Sequence, residues 1–235
     1  KGNIIWFHAA SVGEFLSITP LIYELEKNNK IKKILITTST LSSSKVFNDF
    51  KFKKTYHRFF PIDSFFFSKK FIDYWNPKVA IFIDSEIWPN MFKEIKKKSI
   101  PLLLMNARIT KKTFRRWSFF KSFSDEIFGK ITKAYPQNNE TFKYLKKLNV
   151  KNIKKIGNLK YSKNRNLEIL TLQKSLLSSL KDKIIFVASS THSGEEKMIA
   201  NAHLILKKKF KNFLNILIPR HINRCYKIIE ELKPL

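Results

Sequence analysis

The chain has a single cysteine, Cys225, among 235 residues. It can build neither a disulfide framework nor a thiolate metal site, a usage that fits a cytosolic location. Glycine is nearly as scarce, at 5. Neither G-x-G-x-x-G nor G-x-x-x-x-G-K-[ST] occurs, so nicotinamide, flavin and P-loop chemistry lose their usual support. The 5 histidines show no H-E-x-x-H and no ligand-like pairing. No long uncharged apolar run exists, so nothing here is expected to span a bilayer. Acidic residues are few: 18 Asp+Glu stand against 46 Lys+Arg, for a formal charge of +28. Such a field attracts polyanions, whether nucleic acid, an anionic membrane or a phosphorylated substrate. The abundance of Lys, Asn, Ile and Phe also matches what an A/T-rich genome produces, with many lysines on solvated helix faces.

The length suits one large domain or two small ones. The sequence enters a strand pattern almost at Lys1 and stops at Leu235 within a strand–helix alternation, which reads as part of a longer protein. Apolar, β-branched runs predict strands at Ile4–Ala9, Ile34–Thr38, Tyr56–Phe60, Val79–Ile83, Leu102–Asn106, Ile131–Tyr135, Ile184–Ala188 and Leu214–Ile218. Helical patterns separate them at Phe65–Tyr74, Met91–Lys98, Asn139–Lys147 and Glu195–Lys208. This alternation predicts an α/β fold with doubly wound parallel sheets. Gly157 to Tyr161 marks a boundary, followed by the polar stretch 162–166 and a predicted helix over 167–180. The expectation is a Rossmann-like domain over 1–156, then a linker and an incomplete second Rossmann-like domain over 157–235.

Chemistry-bearing residues collect where strands end. The first strand runs into Ala10-Ser11-Val12-Gly13-Glu14, and a lone carboxylate at the carboxyl end of a parallel strand is a candidate general base. Ser11-x-x-Glu14 equally fits a capping box. Pro20 suits the first turn of a helix starting near Thr19, or kinks one that starts earlier. Asp84-Ser85-Glu86 ends another strand. Strand alternation would put Asp84 and Glu86 on one face, where they could hold a divalent metal, although a carboxylate bonded to loop amides is preferred and no metal is expected. Pro89 fits the first turn of the next helix. Two carboxylates at two strand ends of one sheet can serve one acid–base site. In the second half, Ser193 and Glu196 read as a capping box. Ser189, Ser190, Thr191 and His192 before them stay open to a phosphate or sugar. Pro219-Arg220-His221 ends the last strand, where an arginine can grip a phosphate.

Seven segments in order carry a resemblance: HAASVGEF at 8–15, FFPID at 59–63, DSEIWPN at 84–90, NARIT at 106–110, GNLKY at 157–161, SSTHSGEE at 189–196 and PRHINR at 219–224. Together they resemble the 3-deoxy-D-manno-octulosonic acid (Kdo) transferases of lipopolysaccharide synthesis. The resemblance implies a GT-B fold, two Rossmann-like domains facing a cleft. It implies inverting transfer of Kdo from the donor CMP-Kdo to a lipid A precursor, without a further cofactor, at the cytoplasmic face of a bacterial inner membrane. Glu14 matches the family's catalytic base, Glu86 and Lys160 its transition-state stabilisers, and Pro219 and Arg220 part of its CMP-binding set, with His221 adjoining. Arg108, Arg115 and Arg116 could meet lipid A phosphates. Phe114, Trp117, Phe120 and Phe123 could rest on an anionic membrane surface, although core packing is expected for most of them. The family's N-terminal membrane segment and the rest of its second domain have no counterpart here, so this stretch alone is not expected to be fully active. Two competing readings remain: a basic Rossmann-like nucleic-acid-binding protein, and a related glycosyltransferase with another sugar donor. Nucleic acid is not the expected partner, because its binding leaves carboxylates at two strand ends unexplained.

Overall fold

The computed structural model describes residues 3–159 and 174–234. The chain divides into two compact units, Lys1–Arg165 and Asn166–Leu235. In the first, six strands pair in parallel: β1 (Ile4–His8), β2 (Lys33–Thr38), β3 (Thr55–Phe59), β4 (Val79–Ile83), β5 (Leu102–Ala107) and β6 (Lys133–Pro136). Their order is β3-β2-β1-β4-β5-β6. The winding reverses between β1 and β4, and the loops after those two strands part at that point. Among the described residues, seven α-helices connect or follow the strands: α1 (Val12–Lys27), α2 (Leu41–Asn48), α3 (Phe65–Trp75), α4 (Pro89–Lys97), α5 (Lys111–Phe119), α6 (Lys121–Phe128) and α7 (Asn139–Lys147).

The apolar runs of β1, β2, β4 and β5 are buried on both faces, as a covered parallel sheet requires; β3, at the sheet edge, is largely exposed. Trp6, Leu35, Ala80, Phe82, Leu102 and Leu104 enter one core with Phe92 and Phe128. Phe7, Ile34, Ile36, Ile81 and Ile83 enter the other, against Phe15, Ile18 and Ile22 of α1. The predicted β6 is displaced: Ile131 is buried but belongs to the turn after α6, and the strand starts at Lys133. An apolar residue that fills the core from a turn looks the same in sequence as a strand residue. Helix α1 starts at Val12, so Pro20 lies inside it. The Ser17 and Thr19 hydroxyls donate back to the Glu14 and Phe15 carbonyls in the turn before the proline.

The second unit contains α8 (Lys174–Leu180), β7 (Ile184–Thr191), α9 (Glu195–Lys209), β8 (Phe213–Pro219), a 3-10 turn (Ile222–Arg224) and α10 (Cys225–Leu232). β7 and β8 pair in parallel, in register from Ile184 opposite Phe213 to Ala188 opposite Leu217. The expected capping box at Ser193 is not formed. Gly194 is the N-cap of α9, in the left-handed conformation and without a side-chain bond. Glu195, not Glu196, reaches back, accepting the His192 backbone N–H at 2.7 Å. Glu196 turns inward instead, to Thr191 at 2.8 Å and Arg224 at 3.1 Å.

One contact fixes the loop after β4. Helix α4 begins after Trp88, which offers no side-chain cap, and has Pro89 in its first turn. Its cap comes from another loop. Asp63, 27 residues earlier, accepts the backbone N–H of Asn90 at 3.2 Å and that of Met91 at 2.8 Å. The Asn90 amide returns a bond to the Asp63 carbonyl at 2.9 Å. The FFPID and DSEIWPN segments are thus two halves of one cap. Asp63→Ala should destabilise the first unit by about 1–2 kcal/mol, and Asp63→Asn by less, because asparagine caps nearly as well as aspartate. Urea unfolding of both variants beside wild type measures this.

Candidate active site

β1 ends at His8, and the chain turns through Ala9 and Ala10 into α1. Ser11 is the N-cap, with its hydroxyl oxygen accepting the Glu14 N–H at 3.3 Å. The Glu14 carboxylate accepts from the Ser11 hydroxyl at 3.0 Å and from the Ala10 backbone N–H at 2.8 Å. The capping reading of Glu14 therefore describes real bonds. Those bonds also aim the carboxylate at the carboxyl edge of the sheet. Burial raises the Glu14 pKa, and the Glu86 charge raises it further. The bonds from Ser11 and Ala10 pull the other way without cancelling the rise, and Asp84 adds a smaller upward push. Burial and the two carboxylates at the end of β4 thus make Glu14 a better proton acceptor than an ordinary surface glutamate.

The end of β4 is built around Asp84, which takes the left-handed conformation at φ 60°. This breaks the alternation that would have set Asp84 and Glu86 on one strand face. Ser85 donates its hydroxyl to the Arg108 carbonyl and ties this loop to the one after β5. Glu86 Oε2 accepts the Trp88 indole N–H at 2.8 Å and lies 3.2 Å from Nε2 of His8. His8 is fully buried. Its ring stacks on Phe60 with centroids 3.9 Å apart, and Phe60 leans on Trp88 at 5.0 Å. The loops after β1, β3 and β4 therefore meet around one imidazole. Among the described residues, no three His, Cys, Asp or Glu side chains form a group that could hold a metal ion.

The structure brings Glu14 and Glu86 together. Lys160 lies outside the described residues. Leu159, just before it in sequence, donates its N–H to Asn106 Oδ1 at 3.0 Å and packs its side chain on the α1 core. Asn106 is buried, left-handed at φ 52°, and sits at a register shift between β5 and β6. On the second unit, Pro219 ends β8 and Arg220 follows, its N–H donated to the Thr191 carbonyl at 3.0 Å. Arg220 and His221 are exposed. Burial alone would raise the Glu196 carboxyl, but bonds from Thr191 and Arg224 outweigh it and hold its pKa below the usual range. That buried ion pair anchors the turn carrying Arg220 and His221 to the start of α9.

Sequence reasoning missed the partnerships that five of these residues make. Asp63 and Asn106 act across loops, Glu196 and Arg224 across 28 positions, and His8 meets Glu86 across 78. Only the grouping of DSEIWPN, NARIT and GNLKY hinted at such partnerships. The aromatics divide. Phe114 stacks on Tyr144 at 4.4 Å and Trp117 meets Phe128 edge-on at 5.2 Å, both against the core. Phe119, Phe120 and Phe123 are exposed, Phe119 at 82%.

Residues 1–163 match the family described as 3-Deoxy-D-manno-octulosonic-acid transferase (kdotransferase). The 3-deoxy-D-manno-octulosonic acid transferase of Rickettsia felis is 36% identical over 232 residues, covering 98% of this chain and 50% of the relative. The transferase of the same name from Haemophilus influenzae is 33% identical over 237 residues, covering 97% and 54%. The chain spans about half the length of the curated relatives it matches. Among solved structures, the UDP-GlcNAc 2-epimerase of Neisseria meningitidis bound to UDP-GlcNAc superposes with a TM-score of 0.66 at 17% identity, over 100% of this chain and 70% of that one. At that identity the likeness concerns the fold, which is of the GT-B type expected from the sequence.

The raised Glu14 pKa has a sign. A carboxyl whose folded pKa lies above its unfolded value favours the fold while protonated, and that contribution is lost as pH rises through the folded pKa. In Glu14→Gln the amide oxygen can still accept from Ala10 and the NH2 can donate to Ser11, but no charge appears. The variant should therefore gain stability relative to wild type as pH is raised from about 4 to about 8, a relative gain absent below the ordinary glutamate pKa. Urea midpoints at the two pH values measure it, and a relative loss at the higher pH would contradict the electrostatic reading of this edge.

Proposed function

We propose a function from one premise that the sequence match establishes: this chain belongs to the 3-deoxy-D-manno-octulosonic acid transferase family. We infer that it forms part of a glycosyltransferase that moves Kdo from CMP-Kdo to a lipid A precursor with inversion, and that Glu14 is the general base. The observation that carries this reading is Glu14 itself. Its carboxylate stands at the carboxyl edge of the sheet, beside the switch point, with a raised pKa and two bonds that orient it. An alcohol is a weak nucleophile, and a carboxylate that takes its proton as the bond forms lowers the barrier. Inversion follows if the acceptor oxygen attacks from the face opposite the leaving CMP in a single displacement.

The other roles follow from chemistry. The leaving group is a phosphate ester, so cations stabilise its departure. Arg220 beside Pro219 and His221 is our candidate for gripping the CMP phosphate, and Lys160 for meeting charge that develops at the reacting centre. Glu86 is assigned to stabilising the transition state. No cofactor beyond the donor is needed for a displacement of this kind.

The acceptor is a lipid, and we place the protein at the cytoplasmic face of the inner membrane. No described helix is long and apolar enough to cross a membrane. The consecutive helices α5 and α6 offer another form of attachment: exposed Phe119, Phe120 and Phe123 beside exposed Lys111, Lys112, Arg115, Arg116 and Lys121. Aromatics that enter the headgroup region, ringed by cations that meet anionic lipid, are the pattern of an interfacial surface. Arg108, also exposed, and Arg115 and Arg116 are candidates for the acceptor's phosphates. Nucleic-acid binding, the other reading of the net charge, leaves the buried His8–Glu86–Trp88 arrangement without a task.

Three experiments test the reading. In the intact gene product, Glu14→Gln should lower the initial rate of CMP release by at least about a hundredfold while the protein stays folded. Arg220→Ala should weaken CMP binding by roughly tenfold to a hundredfold in calorimetry. Undiminished turnover in the first variant would remove the base assignment. For the membrane surface, Phe119→Ser with Phe120→Ser should reduce sedimentation with vesicles containing anionic phospholipid. Added salt should reduce wild-type binding as it screens the cationic rim. Unchanged vesicle binding in the double variant would place the contact elsewhere.

A further inference from the structure

The buried contact between His8 and Glu86 carries an inference about where a proton resides. Nδ1 of His8 lies 3.1 Å from the Thr37 backbone carbonyl oxygen and 3.1 Å from Thr37 Oγ1. The carbonyl can only accept. The Thr37 hydroxyl accepts the Trp6 indole N–H at 2.9 Å and donates to the Phe7 carbonyl at 3.3 Å. The group that suits this place is Nδ1–H, pointing at two acceptors. If Nδ1 were bare, its lone pair would face the carbonyl lone pairs inside the protein, the kind of unmatched burial that folds avoid.

With one proton on Nδ1, Nε2 of a neutral ring is an acceptor. It faces Glu86 Oε2 at 3.2 Å. An imidazole lone pair and a carboxylate oxygen make no hydrogen bond unless a second proton lies between them. That proton makes the pair either imidazolium with carboxylate or imidazole with carboxylic acid, and both forms sum to zero charge. The surroundings suit a shared proton. The ring is fully buried, walled by Phe60 at 3.9 Å and Phe82 at 5.3 Å, and Oε2 is held from its other side by the Trp88 N–H.

We propose that His8 is a positioning residue that holds a proton against Glu86, so that Glu86 meets substrate as half of a neutral pair and not as a bare carboxylate. The inference rests on the function proposed above, because it answers a difficulty in it. The donor carries a sugar carboxylate and a phosphate, while the edge that must work on it carries Glu14 and Glu86. Two ionised glutamates side by side would repel such a molecule. A proton stored behind Glu86 removes one negative charge from the edge and leaves Glu14 as the base. Phe60 and Asp63 support the same arrangement, the first by stacking on the ring and the second by capping the helix after Trp88.

The direct test needs no turnover. In the intact gene product with 15N-labelled histidine, the His8 ring should show a protonated Nδ1 and a second proton at or shared with Nε2. In Glu86→Gln the amide NH2 can donate to Nε2, so Nε2 should lose its proton and the ring should become the neutral Nδ1–H form. A neutral ring protonated only on Nε2 in the wild type would overturn the proposal. The kinetic test separates holding from shape. His8→Gln can still donate one N–H toward Glu86 but cannot lend it a proton. It should lower kcat about a hundredfold, with the donor KM raised and the acceptor KM little changed. Wild-type kinetics in His8→Gln would also overturn the proposal. If no form of the protein transfers Kdo, the proposed function fails, and the nitrogen spectrum still reports whether the pair holds its proton.

Discussion

The pairing of β1 with β4 is the constraint on which the site depends. Phe7 stands opposite Ile81, and His8 opposite Phe82, in a parallel register. Neither strand is next to the other in sequence. They are neighbours because the winding reverses there, after β2 and β3 have been laid on one side. Parallel strands end at the same edge, so the loops that follow β1 and β4 open side by side. One loop delivers Glu14 at the start of α1, and the other delivers Glu86 before α4. Both apolar cores serve this pairing. A register slip of one residue would turn His8 to the α1 side and sever it from Glu86.

Around that edge, loops are fixed by polar bonds and not by packing alone. Asp63 caps α4 from the loop after β3, Ser85 binds the loop after β5, and Asn106 holds Leu159. The first two bonds join strand-end loops, and the third ties the end of β5 to the segment after α7. This makes the edge a built surface, on which carboxylates can be held near one another at an electrostatic cost. Burial first, and the neighbouring Glu86 second, raise the pKa of Glu14 there. The same reasoning explains two non-glycine residues in left-handed backbone, Asp84 and Asn106. Aspartate and asparagine tolerate that conformation better than most residues, and here it redirects the chain at the ends of β4 and β5.

Strand and helix patterns were legible because both faces of the sheet are covered. Ile34–Thr38 and Val79–Ile83 read as apolar runs for that reason, and the structure puts strands there. Helix α7 coincides with its predicted span, Asn139–Lys147, and Asn138 caps it. Local patterns misled where one residue had two uses. Ile131 filled the core from a turn. Glu196 stood at capping distance from Ser193, yet its pairing with Arg224 decided its place. Strand ends also pointed to Glu14, Glu86 and Arg220. The partners that orient them were not legible, since a bond between residues 78 or 28 positions apart leaves no periodicity behind. Lys160, read only from the GNLKY segment, lies outside the described residues.

The central claim is that the carboxyl edge of the first sheet activates an acceptor hydroxyl for transfer of a sugar acid. Product mass tests it most directly. The intact gene product is incubated with CMP-Kdo and a lipid A precursor, and the lipid is analysed by mass spectrometry. The account predicts a lipid heavier by one or more whole Kdo residues, with CMP released in equal number. A folded protein that binds CMP yet leaves the lipid mass unchanged would contradict it.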